Sequence, residues 1–327
     1  MEHIARKYAL LNAVEFDGKA DVKAVMGKVM AEFKGDAKEI FSVVKRIVDE
    51  INALSLDEQK KELERLGIGE RKKSKKREGL PPLPFAEKGK VVTRFPPEPN
   101  GYLHIGHAKA AIVDYEYARI YDGVFILRFD DTNPVNEAIE FYEAQKEDLK
   151  WLDIEWDKEY RTSDNLPKHY ELAEELIKKG KAYICTCPEK VIRENRKYGK
   201  ECTCRDSMDM DKWKDFFSME EGEAVLRLKG DMKSENTAMR DPTLFRIIDH
   251  PHPIHGEKYR IWPTYDFSGA VEDSLSGVTH PFRTKEYELR DEVYFYLLDC
   301  LGLRKPHLME FARLAICLLY TSPSPRD

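Results

Sequence analysis

Two histidines three positions apart, where a helix should begin, are the first residues in this chain that could do chemistry. They close the stretch Arg94-Phe-Pro-Pro-Glu-Pro-Asn-Gly-Tyr-Leu-His-Ile-Gly-His107. Val91-Val-Thr-Arg-Phe95 before them is a β-type run, and Ala108-Lys-Ala-Ala-Ile-Val113 after them is a good helix start. The order is therefore strand, Pro/Gly-rich loop, helix. A helix N-terminus gathers unpaired N–H groups and the positive end of the helix dipole, which suits a phosphate. Gly101 and Gly106 remove side chains where a planar ring or a phosphate must approach the backbone. Two imidazoles in the first helical turn can donate hydrogen bonds to charge developing on a phosphate. The plainer alternative is a loop with two ordinary surface histidines.

A second cluster is Cys185-Thr-Cys187 with Cys202-Thr-Cys204. Two such arms can supply four thiolates to a tetrahedral zinc, although zinc ribbons more often use Cys-x-x-Cys arms. Reduced cysteines without a metal are the alternative. The N-terminus, Met-Glu-His-Ile-Ala-Arg, lacks the apolar core of a signal peptide, so metal is expected before disulfides. Cys300 and Cys317 have no partner pattern.

The elements that must position these groups follow from periodicity. The helix after the histidines should run from Ile105 to about Tyr121 and stop at Asp122-Gly123. Val124-Phe-Ile-Leu-Arg-Phe129 is a buried-strand run with a polar exit at Asp130-Asp131-Thr-Asn-Pro134, and Asn136 to Trp151 is helical again. This βαβ order predicts a parallel sheet with ligands at the carboxyl ends of its strands, where the histidine loop and the Asp130-Asp131 pair both fall. From about 165 to 260 the rhythm breaks. A helix from Pro167 to Lys179 ends at Gly180, and short strands follow at Ala224–Lys229 and Leu244–Ile248. This segment reads as a separate α+β insertion, with the parallel fold resuming near Ile261 and another strand starting at Glu310.

Residues 1 to about 70 read as a helical module. Its apolar stripes are Val22, Val25, Met26, Val29, Met30, Phe33 and Ile40, Val43, Val44, Ile47, Val48, Ile51. Ser55-Leu-Asp-Glu58 should be a capping box and Gly67 a stop. The run Arg71-Lys-Lys-Ser-Lys-Lys-Arg77, too charged to pack, and the Pro-rich stretch after it make 71–85 a linker. That run is a solvated tether or a contact for RNA backbone. Composition agrees with a globular protein of several domains: 327 residues, 42% hydrophobic and 35% charged. No run of apolar residues is long enough for a membrane span. The net charge of −6 argues against wholesale coating of nucleic acid, while leaving room for a local basic face.

At its full fourteen residues the histidine stretch resembles the class I aminoacyl-tRNA synthetases, in their glutamyl/glutaminyl branch. Four further blocks carry the same resemblance in order: Arg128-Phe-Asp-Asp-Thr-Asn-Pro134, Met239-Arg-Asp-Pro-Thr-Leu-Phe-Arg246, Trp262-Pro-Thr-Tyr-Asp-Phe267 and Gly277-Val-Thr-His-Pro-Phe-Arg283. The resemblance, over about 86 to 316, implies an α/β chain. Its parts would be a Rossmann-like catalytic domain in two halves (86–164 and 261–316), a zinc-bearing acceptor-stem insertion (165–260) and the N-terminal module. It implies cytoplasmic ligation of L-glutamate to tRNA(Glu), using ATP with Mg2+ and a structural Zn2+, and a possible protein partner for the N-terminal module. His104 and His107 would meet the ATP phosphates, with Pro96, Gly101 and Gly106 beside the nucleotide and Glu98 at the terminal adenosine of the tRNA. Asp130 would take the ammonium group of the amino acid, with Tyr265 beside it. Taken alone, Asp130 could equally cap a turn.

Arg94 and Arg283 stand where glutamyl enzymes resemble one another, and a glutamate carboxylate calls for such cations. Glutaminyl relatives usually have cysteine at the second position, and histidine where this chain has Ser268-Gly269, so glutamate is the expected substrate and glutaminyl-tRNA synthetase the alternative. A non-catalytic tRNA-binding protein on the same scaffold is a further reading. The competing role for Arg283 is a surface ion pair with a neighbour such as Glu286. The zinc arms would stand among Lys190, Arg193, Arg196, Lys197, Lys200 and Arg205, a face suited to an acceptor stem. The family's lysine-rich loop would lie beyond the point where this chain stops, and no lysine follows Lys305, so weak catalysis is expected of this chain. Residues 317–327 look unrelated to the family.

Overall fold

Four helices build the N-terminal unit: α1 (Glu2–Glu15), α2 (Val22–Glu32), α3 (Ala37–Asn52) and α4 (Leu56–Arg65). The computed structural model describes residues 1–33, 35–66, 79–206 and 210–313, and the chain divides into two units, Met1–Gly79 and Leu80–Asp327. The α3 stripe behaves as its periodicity demands, burying Ile40, Val44, Ile47, Val48 and Ile51 against Ala5, Ala9 and Leu10 of α1. Only the middle of the α2 stripe, Val25 and Val29, is fully buried; Met30 and Phe33 are exposed. The Ser55–Glu58 capping box forms, with Ser55 N–H donating to Glu58 Oε2 at 2.9 Å. Gly67 and the basic run 71–77 lie outside the described residues.

In the second unit β1 (Val92–Phe95), β2 (Val124–Phe129) and β3 (Lys158–Arg161) form a parallel sheet in that order. α5 (Ile105–Ile120) and α6 (Ile139–Trp151) are its crossovers, and Phe95, Phe125, Leu127, Phe129, Ala111 and Leu149 make its core. The reversal between α5 and β2 depends on Gly123, where a Cβ would stand 2.1 Å from the Val91 carbonyl. α6 begins three residues later than its pattern suggests. The Glu137 side chain accepts the Asn133 N–H at 2.6 Å, which holds the preceding turn out of helix.

The segment from Ala182 to Pro263 differs more from expectation. β4 (Ala182–Cys185), β5 (Val225–Leu228), β6 (Thr243–Ile247) and β7 (Ile261–Pro263) form one antiparallel sheet. Ile261 therefore does not resume the parallel fold; it closes the antiparallel sheet, and the return begins with α10 (Tyr265–Leu275). Nor does this sheet have a core of its own. With α7 (Leu166–Lys178) and α9 (Met210–Phe216) it shares one continuous core with α10 and α11 (Asp291–Leu301), where Phe245 meets Phe267 at 4.6 Å between ring centroids. α8 (Glu189–Tyr198) buries no residue. β8 (Phe282–Thr284) and β9 (Met309–Phe311) pair in parallel, and the residues just before β8 reach β1, Thr279 N–H donating to the Val92 carbonyl at 2.9 Å.

Residues 80–84 are not a free linker. Leu83 is buried with Val91, Tyr117 and Phe282, and the Tyr117 hydroxyl donates to the Pro81 carbonyl at 2.8 Å. The tail from 314 onward lies outside the described residues. Among the described residues no helix is long and apolar enough to cross a membrane.

Candidate active site and cysteine cluster

The carboxyl ends of β1 and β2 meet α10 through buried charges, and the N-terminus of α5 follows the loop that leaves β1. At α5 the two histidines cap the helix reciprocally. His104 Nδ1 accepts the N–H groups of Gly106 (3.0 Å) and His107 (3.4 Å), and His107 Nδ1 accepts the His104 N–H (3.3 Å). The rings stack 3.8 Å apart. Both Nδ1 atoms are thus acceptors, which puts the N–H of each neutral imidazole on Nε2, free to donate elsewhere. Burial, with His104 as neighbour, lowers the His107 pKa and favours that neutral form. A Cβ on Gly106 would stand 2.8 Å from the His104 ring, so this glycine makes room for the cap itself; at Gly101 a Cβ would meet open space. Pro96 is half-buried and Glu98 exposed. The loop between them and the helix is held by Gln145, whose Nε2 donates to the carbonyls of Glu98 (3.0 Å) and Gly101 (2.8 Å). Nothing in the spacing of Gln145 announced that role.

Arg94 and Asp130 are the two ends of one buried chain of charges. Arg94 grips Asp273 through Nε (3.0 Å) and Nη2 (3.2 Å), and its Nη1 donates to the Phe282 carbonyl at 2.8 Å. Arg128 Nη1 reaches the same Asp273 at 2.7 Å, while its Nε meets Asp130 Oδ1 at 2.7 Å. Thr162 donates to Asp130 as well (2.9 Å), and the Tyr294 hydroxyl to Asp273 (3.0 Å). Two cations and two anions balance, so the chain is neutral overall. Asp130 is no isolated turn cap: it carries 11% of its side chain to solvent at the end of the network. Arg128 and Asp273 escaped the sequence reading, yet a signal existed. For Arg128 it is a charge inside the apolar run Val124–Phe129, and such a charge must be paired; Asp273, between Glu272 and Ser274, carries no such mark.

Tyr265 opens α10 among Arg94, Arg283 and Asp273, its ring 5.1 Å from that of Tyr287. A Cβ on Gly269 would press on the Tyr265 ring at 3.4 Å. Arg283 in β8 is buried, with its guanidinium 5.3 Å from the Tyr294 ring centroid. It pairs with Asp291 through Nη2. The Glu286 pairing does not form: Glu286 pairs with Arg313 at 2.7 Å. Arg283 Nε is buried and has no hydrogen-bond partner, and its guanidinium lies, like that of Arg94, near Tyr265.

Asp131 belongs to the scaffold. It accepts from Tyr142 (2.9 Å) and from the N–H (2.8 Å) and hydroxyl (2.7 Å) of Ser163. His252, stacked on Trp262, faces Asp131 and Glu137 through Nε2 at 3.6 and 3.2 Å. Its Nδ1 accepts two backbone N–H groups, from Ile254 and His255, so Nε2 carries the proton. Burial pushes Asp131 up to about 7 and Glu137 up to about 8. Folding therefore favours the protonated acids. That contribution is complete below the ordinary carboxyl value of roughly 4 and is lost as pH rises through about 7 to 8. Glu137→Gln keeps an acceptor for the Asn133 N–H and cannot ionise. Between pH 5.5 and pH 8.5 its stability should gain on that of the unaltered protein by about 1–3 kcal/mol, read from paired denaturant titrations. Parallel stability–pH curves for the two proteins would refute the assignment.

The four cysteines come together where β4 ends and a 3₁₀ turn (Thr203–Asp206) begins. Their Sγ atoms all lie within 4.8 Å of one another, at 3.6 Å for Cys185–Cys202, 3.2 Å for Cys187–Cys202 and 3.9 Å for Cys187–Cys204. None of the four is in a disulfide, and sulfurs tetrahedral about zinc stand roughly 3.8 Å apart. The set therefore fits a metal centre with four cysteine ligands. The expected basic face is smaller than its six cations. Arg196 donates to the carbonyls of Arg240 (3.0 Å) and Thr237 (3.3 Å), and Arg205 to Asp241 (3.0 Å), Glu201 (2.7 Å) and the Gly230 carbonyl (2.6 Å). Arg193 is exposed but paired with Glu189. Lys190, Lys197 and Lys200 are exposed, the last two over the ring of the exposed Tyr198.

The profile of the family described as tRNA synthetases class I (E and Q), catalytic domain, matches residues 90–320. A glutamate–tRNA ligase of Nitrosopumilus maritimus is 49% identical, over 96% of this chain and 57% of its own length. One from Pyrococcus furiosus is 47% identical over 97% of this chain and 58% of its own. The chain thus spans little more than half the length of these curated relatives. Among solved structures, the glutamate-tRNA synthetase of Elizabethkingia anophelis superposes with a TM-score of 0.51 at 23% identity, over 68% of this chain and 50% of that one, a likeness of fold.

Proposed function

The chain belongs to the class I tRNA synthetases of the E and Q type, and on that premise we propose that it activates L-glutamate with ATP as glutamyl-adenylate for transfer to tRNA(Glu). The observation that carries glutamate over glutamine is the buried, partnerless Nε of Arg283, whose guanidinium lies, like that of Arg94, near Tyr265. A carboxylate side chain satisfies that donor and its charge together. A carboxamide can offer one oxygen but no charge, and its NH2 would face cations. At the other end of the buried network, Asp130 receives the ammonium group.

In the first step the α-carboxylate of glutamate attacks the α-phosphorus of ATP, the bond to the β-phosphate oxygen breaks, and pyrophosphate leaves. The protein does little covalent work here; it aligns the reactants and meets developing charge. The Nε2–H groups of His104 and His107, with the N-terminus of α5, would donate to the phosphates, and Mg2+ would enter bound to ATP. Pro96, Gly101 and Gly106 would border the nucleotide. In the second step a ribose hydroxyl of the terminal tRNA adenosine takes the acyl group, near Glu98. Lys190, Lys197, Lys200 and Tyr198 would contact the acceptor-stem backbone. Cys185, Cys187, Cys202 and Cys204 would hold a structural zinc that ties β4 to the 3₁₀ turn beneath α8. The reading carries a cytoplasmic setting with it.

The test is calorimetric binding of non-hydrolysable glutamyl- and glutaminyl-adenylate analogues to the whole chain. The glutamyl form should bind at least about tenfold more tightly, since one good carboxylate contact exceeds about 1.4 kcal/mol. Equal affinities, or preference for the glutaminyl form, would end the glutamate assignment.

A further inference from the structure

Arg227, in the middle of β5, is a buried charge in contact with the cysteines that, among the described residues, has no carboxylate within ion-pair distance. Its side chain is wholly buried. Nε donates to the Asp241 carbonyl at 3.0 Å, and Nη1 reaches Sγ of Cys185 at 3.8 Å. Nη2 is buried without a partner. The guanidinium lies 5.6 Å from the Tyr183 ring centroid. Among the described residues no carboxylate stands within ion-pair distance of it. The acid closest along its bonds, Asp241, gives its carboxylate to Arg205 (3.0 Å), the Tyr183 hydroxyl (2.9 Å) and the Gly230 N–H (2.9 Å). An arginine keeps its proton at every pH the protein meets, and burying such a charge uncompensated is costly. A protonated thiol provides no compensation. Four thiolates around a divalent cation carry a net charge of −2, in contact with the guanidinium through Cys185.

We infer that Arg227 is a built-in counter-charge of the cysteine metal centre, a positioning residue that donates to the Cys185 thiolate and offsets part of the negative charge that the metal-loaded centre carries. The inference rests on the reading of the four cysteines as a zinc site. It explains why a guanidinium stands in an otherwise apolar strand. It also separates the two nearby arginines. Arg205 pairs with Asp241 and Glu201 whether or not metal is bound, whereas Arg227 touches a full negative charge only when the cysteines are thiolates. Metal uptake and the anchoring of β4 to β5 thereby become linked, because the strand bearing Arg227 pairs directly with the strand that ends in Cys185.

The experiment uses the whole chain, stripped of metal and reloaded, with Arg227→Met, Arg227→Gln and Arg227→Lys beside it. Zinc affinity is read by competition with a chromophoric chelator, and the site itself by the sulfur-to-metal absorption band after loading with cobalt(II). The unaltered chain should take up about one zinc. The Met and Gln variants should bind it about 10–100-fold more weakly, the usual effect of losing a partner of a metal ligand, and should release it at higher pH. Lys, which keeps the charge, should recover most of the affinity. Equal zinc affinity in the Lys and Gln variants would overturn the counter-charge even if the Met variant did not fold. Unchanged affinity in Met and Gln would overturn it while leaving the metal site standing. An unaltered chain that takes up no zinc and shows no cobalt–thiolate band would overturn the metal site, and this inference with it.

Discussion

Asp273→Asn should destabilise the Leu80–Asp327 unit by about 3–5 kcal/mol, enough to unfold a marginal domain at room temperature. Asp273 is 1% exposed and accepts from two buried arginines and a tyrosine: Arg94 at 3.0 and 3.2 Å, Arg128 at 2.7 Å and Tyr294 at 3.0 Å. The asparagine keeps the shape but not the charge, and its NH2 would point at a guanidinium. Arg94 would be left with no anion in contact, and Arg128 with Asp130 alone. Burial by itself would favour the neutral acid, but Arg94 and Arg128 outweigh it and hold the Asp273 carboxyl below its ordinary value. The carboxylate therefore contributes stability above the ordinary value of roughly 4, and that contribution disappears only as pH falls through the lowered one. The loss in the variant should accordingly be the same at pH 6 and at pH 8. Urea titrations at both values give the measurement. A variant within about 1 kcal/mol of the unaltered chain, or one whose deficit vanishes at pH 8, would show that the buried network is not held by this carboxylate.

Arg283→Cys should cost the glutamyl-adenylate analogue about 2–4 kcal/mol in binding, or roughly 30- to 1,000-fold, while changing the glutaminyl analogue far less. The two arginines near the amino-acid site differ in what they can still offer. Three donors of Arg94 are engaged with Asp273 and Phe282, and its position is set by them. Arg283 holds Asp291 through Nη2 and leaves a buried Nε open. On the proposed reading Arg94 would contribute field and fixed geometry, and Arg283 the directional contact. Cysteine removes both the charge and the donor, so the ratio of the two affinities should collapse toward one. That ratio is the readout, because a general loosening of the site would weaken both analogues together. Asp291→Asn serves as a control: it removes the partner of Arg283 but keeps the cation, so preference for the glutamyl form should survive. A ratio in Arg283→Cys equal to that of the unaltered chain would transfer the discrimination to Arg94 or to the Tyr265–Gly269 turn.

What could be read directly from the chain is what lies within a few residues along it. The turn from β1 through the loop to α5, the stop at Asp122-Gly123, the α3 stripe and the two Cys-x-Cys arms all follow from dihedral preference, periodicity and ligand spacing. Those forces act over a helical turn or a hairpin, so a string of letters carries them whole. The chemistry of His104 and His107 belongs to the same class. Their reciprocal capping, and with it the tautomer that aims both Nε2–H groups outward, needs only residues 104–107. The roles of charged residues were a different matter. Arg94 finds Asp273 179 positions away, and Arg128 finds the same acid across 145. Arg196 and Arg205 fit a basic surface by composition, yet they are turned inward onto carbonyls and carboxylates. Ile261, expected to resume the parallel fold, pairs antiparallel with β6. In each case the outcome depends on which groups lose water together. Desolvation makes an unpaired charge too costly to leave, so buried ions must be matched across elements. That matching is set by packing, not by neighbours in sequence. The tertiary structure alone therefore decided that Arg283 Nε is left without a partner while Arg94 is already held, and that Arg227 stands against Cys185 with no carboxylate in ion-pair contact.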